Sequence, residues 1–286
     1  MAITLGGGGG SASQINEVVS LQDTADIVTL ADGRVYLKGG IYETDLTVYP
    51  NADSTFYYAS ESFSVSSQDT APYDITWDGT YFWVLGGTNK TVYKYNASGT
   101  YQNVSFSVNS QDSSSTGITW DGTYFWVAGN TTNSVYKYNA SGTYQNVSFS
   151  VASQDASPQG ITWDGSHLWV TGDNSDTVYK YNTSGTYQNV SFSSQSNYAQ
   201  GIVWNGSHFW TVDRISDAAF KYTAAGVYTG TSFALNGQEV NSMGITWDGS
   251  HLWVVGYTAD TVFKYEPRIG VASDTSFGAQ NYVRVA

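Results

Sequence analysis

Cysteine is absent from the 286 residues, so the chain forms neither a disulfide nor a thiolate metal site, and its redox compartment is left open. Charge is scarce too. Only 12% of residues are charged, and 11 basic residues face 24 acidic ones, for a net charge of −13. A phosphate-binding face needs clustered Lys and Arg, so nucleic acid is not an expected partner. No apolar run approaches the roughly 20 residues of a membrane span. The start, Met1-Ala2-Ile3-Thr4-Leu5 and then five Gly, lacks the basic and apolar regions of a secretory signal. A chain that acts outside its cell without such a signal is expected to leave by assembly into a particle and lysis.

What the chain has in quantity is aromatic residues (16%) and Gly (30 residues), and both are organised by one recurring stretch. Ile75-Thr76-Trp77-Asp78-Gly79-Thr80-Tyr81-Phe82-Trp83-Val84 returns at Ile118 to Val127, Ile161 to Val170, Ile202 to Thr211 and Ile245 to Val254. Its leading Trp falls at 77, 120, 163, 204 and 247, in steps of 43, 43, 41 and 43 residues, and the two Trp per copy account for all ten in the chain. Such a period marks one supersecondary unit repeated into an array, and the tryptophans are read as scaffold. Asp-Gly between apolar runs signals a hairpin. With Asp78-Gly79 as the centre of a type I′ turn, Trp77 pairs with Thr80, Thr76 with Tyr81 and Ile75 with Phe82. Large aromatics then fall on both faces, which requires sheets stacked on both sides.

Two more strands complete each unit. Thr91 to Tyr95 recurs at Ser134, Thr177, Ala218 and Thr261, and Tyr101 to Val108 is echoed at Tyr144 and Tyr187. Four short strands per 40–45 residues specify an all-β chain and a β-propeller blade; Asp-Gly hairpins argue against the rival parallel β-helix. Strand 55–65 resembles a fourth strand without its blade, while the last unit lacks one. Joining the two closes a ring of five blades over residues 53–265, with a six-bladed alternative if the hairpin around Ala31-Asp32-Gly33 is a degenerate blade. Residues 1–52 and 266–286 are expected to form a small module together. Gly6 to Gly10 reads as a flexible or closely packed run, and Ser13 to Val19 as a short helix or an extended arm.

Candidate sites follow from where the copies differ. One repeat position carries Tyr81, Tyr124, His167, His208 and His251, a collar at one rim; it lacks zinc-site spacing and reads as packing, with no metal or cofactor expected. The five third-strand lysines (Lys94, Lys137, Lys180, Lys221, Lys264) read as structural or edge-protecting. Asp69, Asp112 and Asp155, in Ser-Gln-Asp triplets, read as turn caps. The Asn-x-Ser/Thr matches at Asn96, Asn103, Asn139, Asn146, Asn182 and Asn189 repeat with the blade and read as turn and strand residues. On the opposite rim the copies diverge, at Asn89, Lys90, Asn130, Asp173, Asn174, Tyr198, Asp213, Arg214, Tyr257 and Asp260. Amide, carboxylate and aromatic groups on loops of a rigid scaffold suit sugar hydroxyls and ring faces, against the plainer reading of a solvated rim.

The ends resemble bacteriophage tail-fibre and tail-associated virion proteins. The similar pieces are Met1 to Val19, Arg34-Val35-Tyr36-Leu37-Lys38-Gly39-Gly40 leading to Tyr49-Pro50-Asn51-Ala52, and Asn281-Tyr282-Val283-Arg284-Val285. Tyr36 stands where such proteins often have Trp. The resemblance implies a structural virion protein of the tail, assembled in the host cytoplasm, present in several copies and attached to other virion proteins through its terminal segments. The propeller then faces outward toward host-surface carbohydrate. Capsid decoration or a head fibre belongs to the same class. A propeller glycoside hydrolase is the alternative from another class. It needs two carboxylates facing each other across about 5–9.5 Å, and since Asp78, Asp121, Asp164 and Asp248 are repeat-placed turn residues, the chain is expected not to be an enzyme.

Overall fold

The computed structural model describes residues 56–267, apart from 196, 236 and 240, together with the backbone of six short strands in the terminal segments. The chain divides into two compact units, Thr55–Pro267 and Met1–Ser54 with Arg268–Ala286.

Five four-stranded antiparallel meanders build the first unit. Their innermost strands are Pro72–Trp77, Ser115–Trp120, Pro158–Trp163, Ala199–Trp204 and Ser242–Trp247. Each lies beside the next, and the fifth lies beside the first, so the meanders close into a five-bladed β-propeller. Blades 1 to 4 take their outer strands, Tyr101–Ser107, Tyr144–Ser150, Tyr187–Ser193 and Tyr228–Ala234, from the segment that follows. Blade 5 takes its outer strand, Phe56–Ser64, from the front of the chain, paired with Thr261–Pro267 through Thr261↔Ser64 and Val262↔Phe63. Phe63 consequently packs on Phe82 of blade 1 at 5.7 Å, as Phe106 packs on Phe125 at 5.5 Å between blades 1 and 2. The ring has no exposed closing edge.

The Asp-Gly hairpin differs from the register expected for it. Trp77 pairs with Phe82, Thr76 with Trp83 and Ile75 with Val84, leaving a four-residue connection closed by Asp78 N–H donating to Tyr81 O at 3.1 Å. A type I′ turn needs positive φ at both central residues. Gly79 has it, at 98°, and Asp78 does not. The Asp78 carboxylate instead takes over the turn: Oδ1 accepts N–H from Thr80 and Tyr81 at 2.8 and 2.7 Å, and Oδ2 accepts the Trp83 indole N–H at 2.6 Å. The face assignment survives because the pairing moved by an even number of residues.

Both faces are covered. At three of the five seams the second Trp of one blade packs on a Phe near the start of the next blade's second strand. The pairs are Trp83 on Phe125 at 4.9 Å, Trp169 on Phe209 at 4.7 Å and, across the closing seam, Trp253 on Phe82 at 4.8 Å. Trp126 and Trp210 are fully buried. Each such indole removes about 150–250 Å² from water, roughly 4–6 kcal/mol. The third-strand lysines lie within the blades and guard no edge: Lys94 Nζ stands 3.6 Å from the Tyr81 ring centre and 5.1 Å from that of Trp83.

In the other unit one three-stranded sheet has the order Leu5–Gly6, Gln14–Asn16, Thr47–Val48, and a second has the order Tyr282–Val285, Val35–Lys38, Ile27–Thr29. The hairpin around Asp32-Gly33 therefore exists but is no sixth blade, and within Ser13 to Val19 the described residues Gln14–Asn16 take the extended form. The glycine run from Gly7 to Gly10 lies outside the described residues.

Candidate functional site

The loop rim, opposite the Asp-Gly turns, is pinned by buried carboxylates. Asp69 accepts N–H from Ala71 and Asn89 at 2.9 Å each, and Asp112 accepts from Ser114 and Thr132 at 2.7 and 2.8 Å. Asp155 accepts from Ser157 and Ser175 at 2.7 and 2.9 Å. These are turn caps, as the triplets suggest, and the triplet Gln has its own task. Gln68, Gln111 and Gln154 accept the hydroxyls of the buried Tyr95, Tyr138 and Tyr181 at 3.1, 3.1 and 3.2 Å. Burial pushes those phenols above the ordinary tyrosine range. In blade 5, Glu239 replaces the aspartate and holds the N–H of Thr258 and Ala259 at 3.1 and 2.8 Å. In blade 4 the triplet reads Ser194-Gln195-Ser196, and Asp213 appears where the other blades have Gly86, Gly129, Gly172 and Gly256. Asp213 Oδ1 accepts N–H from Ile215 at 3.0 Å and the Ser216 hydroxyl at 2.6 Å. The carboxylate has moved from connector to strand end and does the same work.

On this fixed frame the divergent residues sort themselves. Asp213 is buried and committed to its loop. Asn89 donates to Gln68 O at 3.1 Å and Tyr93 Oη at 3.2 Å, while Asn130 donates to Ser157 Oγ at 2.9 Å. Asn174 is exposed. Asp260 sits in a left-handed turn at φ 48°, its carboxyl pushed up by burial and by Asp69. The remaining five converge. The Arg214 guanidinium lies over the Tyr198 ring at 5.6 Å, and its charge pulls on both Asp173 and Tyr73. Burial nonetheless holds the Asp173 carboxyl above the usual range. Tyr257 stacks on Tyr73, with ring centres 6.0 Å apart and planes at 16°, and Lys90 Nζ stands 5.3 Å from the Tyr73 ring. Tyr198 and Tyr257 are 42% and 38% exposed, so both rings reach the surface. Arg214 Nε and Asp173 Oδ1 are buried polar atoms without a partner, a donor and an acceptor on one side of the patch.

Tyr73 was missed by sequence reasoning because divergence was sought only in loops. The same criterion applied to the inner strands finds it, opposite Thr116, Gln159, Gln200 and Met243, and finds Asp74 beside it, where the other copies carry Gly. Asp74 is 2% exposed and lies one residue before Ile75, where the lining of the axial channel begins. Burial pushes its carboxyl well above the ordinary carboxylate range, opposed by N–H bonds from Ile118, Ile75 and Ile245. The channel, about 80 Å³, is lined by the Ile-Thr-Trp triplets (Ile-Val-Trp in blade 4). The leading tryptophans are thus channel wall as well as scaffold: Trp77 packs on Phe82 at 4.6 Å and stays half-buried.

At the turn rim the collar is engaged by its neighbours. Lys137 stands over Tyr124 at 3.6 Å, His167 Nδ1 is 2.8 Å from Ser166 Oγ, and His251 Nδ1 is 3.0 Å from Asp248 Oδ2. Burial and Lys221 hold the His208 pKa down. Among the described residues, no group of three or more His, Asp or Glu is spaced to hold a metal ion.

No family model and no curated protein sequence matches the chain. Among solved structures it is similar to a glutaminyl cyclase of Myxococcus xanthus, at 8% identity and TM-score 0.58, over 74% of this chain and 96% of that one. It is also similar to a streptogramin B lyase, at 16% identity and TM-score 0.48, over 76% and 100% of the two chains. A third is the WD40 β-propeller domain of Doa1, at 9% identity and TM-score 0.46, over 67% and 62%. The expectation that this chain is not an enzyme is corrected by the first of these: the propeller fold is shared with a cyclase, so the architecture gives no ground for excluding catalysis. At 8% identity the likeness extends to the fold and not to the cyclase's chemistry.

Proposed function

We propose that the propeller is a binding module whose loop rim takes a carbohydrate, carried on a structural protein of a phage virion. The observation that carries the first part is the patch itself: the stacked Tyr73–Tyr257 pair beside Arg214, Tyr198 and Asp173, on loops held by buried carboxylates. Exposed rings suit the C–H faces of a sugar, and the half-buried Arg214 and Asp173 side chains beside them suit adjacent hydroxyls. Loops already fixed before binding keep the ordering cost low. The second part is supported by the resemblance of both terminal segments to tail-associated proteins. Those segments attach the chain to other virion proteins in the tail, and several copies per particle turn weak single contacts into avidity.

The test is binding of the purified chain to host cells and to a glycan array, with Tyr257→Ala and Arg214→Ala beside it and reducing-sugar release measured in parallel. Saturable binding weakened about tenfold or more by either substitution, with the melting temperature unchanged, supports the patch. Binding indifferent to both sinks it, and sugar release assigns turnover to the same fold. Electron microscopy of particles with antibody against the chain tests the tail position.

A further inference from the structure

Four inner strands carry glycine immediately before the channel isoleucine (Gly117, Gly160, Gly201 and Gly244), whereas the first carries Asp74. The ring is too narrow for a side chain at most of these positions. A Cβ at 117, 160 or 201 would lie 2.4, 2.4 or 2.6 Å from the carbonyl oxygen of Gln159, Gln200 or Met243 in the next blade. At 244 it would meet Asp74 Oδ1 at 2.3 Å. The ring therefore admits one side chain, and that side chain spans three blades. Asp74 Oδ1 accepts the Ile75 N–H at 2.9 Å and Oδ2 accepts the Ile118 N–H at 2.7 Å, and the Ile245 N–H of the fifth blade also faces this carboxyl and pulls its pKa down.

The other two blades present the same group. Ile161 faces Val170 and Ile202 faces Thr211 in the register in which Ile75 faces Val84. Along an antiparallel strand the N–H groups alternate between the partner strand and the open side. The Ile75 N–H, used by Asp74, is on the open side, so those of Ile161 and Ile202 are too. Five N–H groups thus converge on the axis, and a convergent set of backbone N–H groups is a nest for a negatively polarised oxygen.

We propose that the five isoleucine N–H groups form a binding ring for one small carboxylate on the propeller axis, and that Asp74 occupies it from within the chain. The ligand class follows from the occupant: one carboxylate with little attached, such as formate or acetate, at the isoleucine end of a channel of about 80 Å³. In the native chain the axis is closed by the protein's own side chain, which leaves the loop rim as the face open to larger ligands.

The full chain with Asp74→Gly, the residue the other four blades use, empties the ring without adding bulk. Thermal melts at neutral pH compare about 0.5 M sodium acetate with sodium chloride of equal ionic strength and with benzoate, which is too wide for the channel. The expected result is a D74G protein that melts below wild type in chloride. Acetate raises its melting temperature by at least about 3 °C more than it raises that of wild type, and benzoate gives no such excess. Equal acetate shifts in the two proteins, or a benzoate shift matching acetate, overturn the proposal. Should D74G fold in neither buffer, Asp74→Asn decides: an amide puts a second donor into a ring of donors, so D74N is expected to have a folding constant about tenfold or more below wild type. A D74N protein as stable as wild type refutes the ring.

Discussion

Blade 4 contains an unmade hydrogen bond that one substitution should complete. In blades 1, 2, 3 and 5 the turn aspartate accepts the indole N–H of the second Trp, at 2.6 Å for Asp78–Trp83 and 2.7 Å for Asp121–Trp126, Asp164–Trp169 and Asp248–Trp253. Blade 4 has Asn205. Its Oδ1 accepts the N–H groups of Ser207 and His208 at 3.1 and 2.9 Å, which leaves the amide nitrogen, a donor, as its other end. Trp210 is fully buried and its Nε1 has no partner. Asn205→Asp supplies the missing acceptor. A hydrogen bond to a charged group contributes about 1.5–3 kcal/mol and a stranded buried donor costs about 1–3. The half-buried position of residue 205 takes back part of that through desolvation. A net gain of about 1–2 kcal/mol remains, or about 2–8 °C in melting temperature for a domain of this size.

The gain has a pH signature. At the equivalent Asp164 and Asp248, burial raises the carboxyl pKa but the indole and backbone N–H bonds outweigh it, so both are held below the usual range. A carboxyl whose folded pKa is depressed stabilises the fold above its unfolded pKa, about 3.9, and loses that contribution as pH falls through the folded value. N205D is therefore expected to melt above wild type at pH 7 and to converge on it below about pH 4, with the Trp210 indole proton shifting downfield in NMR spectra at pH 7 only. No gain at pH 7, or a gain that persists unchanged in acid, refutes the reasoning.

Four further outcomes follow from the same geometry. Asp248→Asn is the mirror experiment and should cost about 1–3 kcal/mol at neutral pH, with the difference shrinking in acid melts. Gly160→Ala places a methyl 2.4 Å from Gln200 O and should lower the urea midpoint by the equivalent of about 1–3 kcal/mol or more, although Ala is normally the better-tolerated residue. Phe56→Ala removes the ring that meets Trp210 at 5.3 Å and Phe233 at 5.6 Å in the closing blade, and should cost about 3–5 kcal/mol by chemical denaturation. Tyr257→Ala, by contrast, unstacks an exposed pair and should leave the melting temperature within about 2 °C of wild type.

The propeller was legible in the sequence because its period is carried by residues whose burial is the same in every copy. Trp83, Trp126 and Trp169 fill equivalent seams, and Phe63 does for blade 5 what Phe106 does for blade 1, so an orphan strand at the front could be matched to a gap at the back. The hairpin register was not legible. Asp-Gly names a turn by its backbone preference, whereas here the Asp78 side chain bonds two N–H groups and an indole and so selects a wider connection. Of the rim, the pieces that converge (Lys90, Asp173, Tyr198, Arg214 and Tyr257) were visible as divergence between copies. Asp213 looked like one of them because its partner change, Ser196 for aspartate in the triplet, was not read together with it.

Departures from the repeat are of two physical kinds, and the difference bears on where function resides. Asp74 replaces a glycine and satisfies donors that it meets, bonding its own blade and the next through one carboxyl. Asn205 replaces an aspartate and strands an indole, and Arg214 and Asp173 likewise leave Nε and Oδ1 without partners. A departure that completes hydrogen bonding strengthens the ring and needs no ligand to account for it. A buried polar atom left unpaired costs free energy in the isolated chain, and a ligand group that pairs with it removes that cost on binding. Trp210 Nε1 lies deep in a seam where no ligand reaches. Arg214 Nε and Asp173 Oδ1 are just as closed off, but Arg214 lies over the exposed Tyr198 ring at the rim, so a ligand that shifts the guanidinium on binding can make that deficit good.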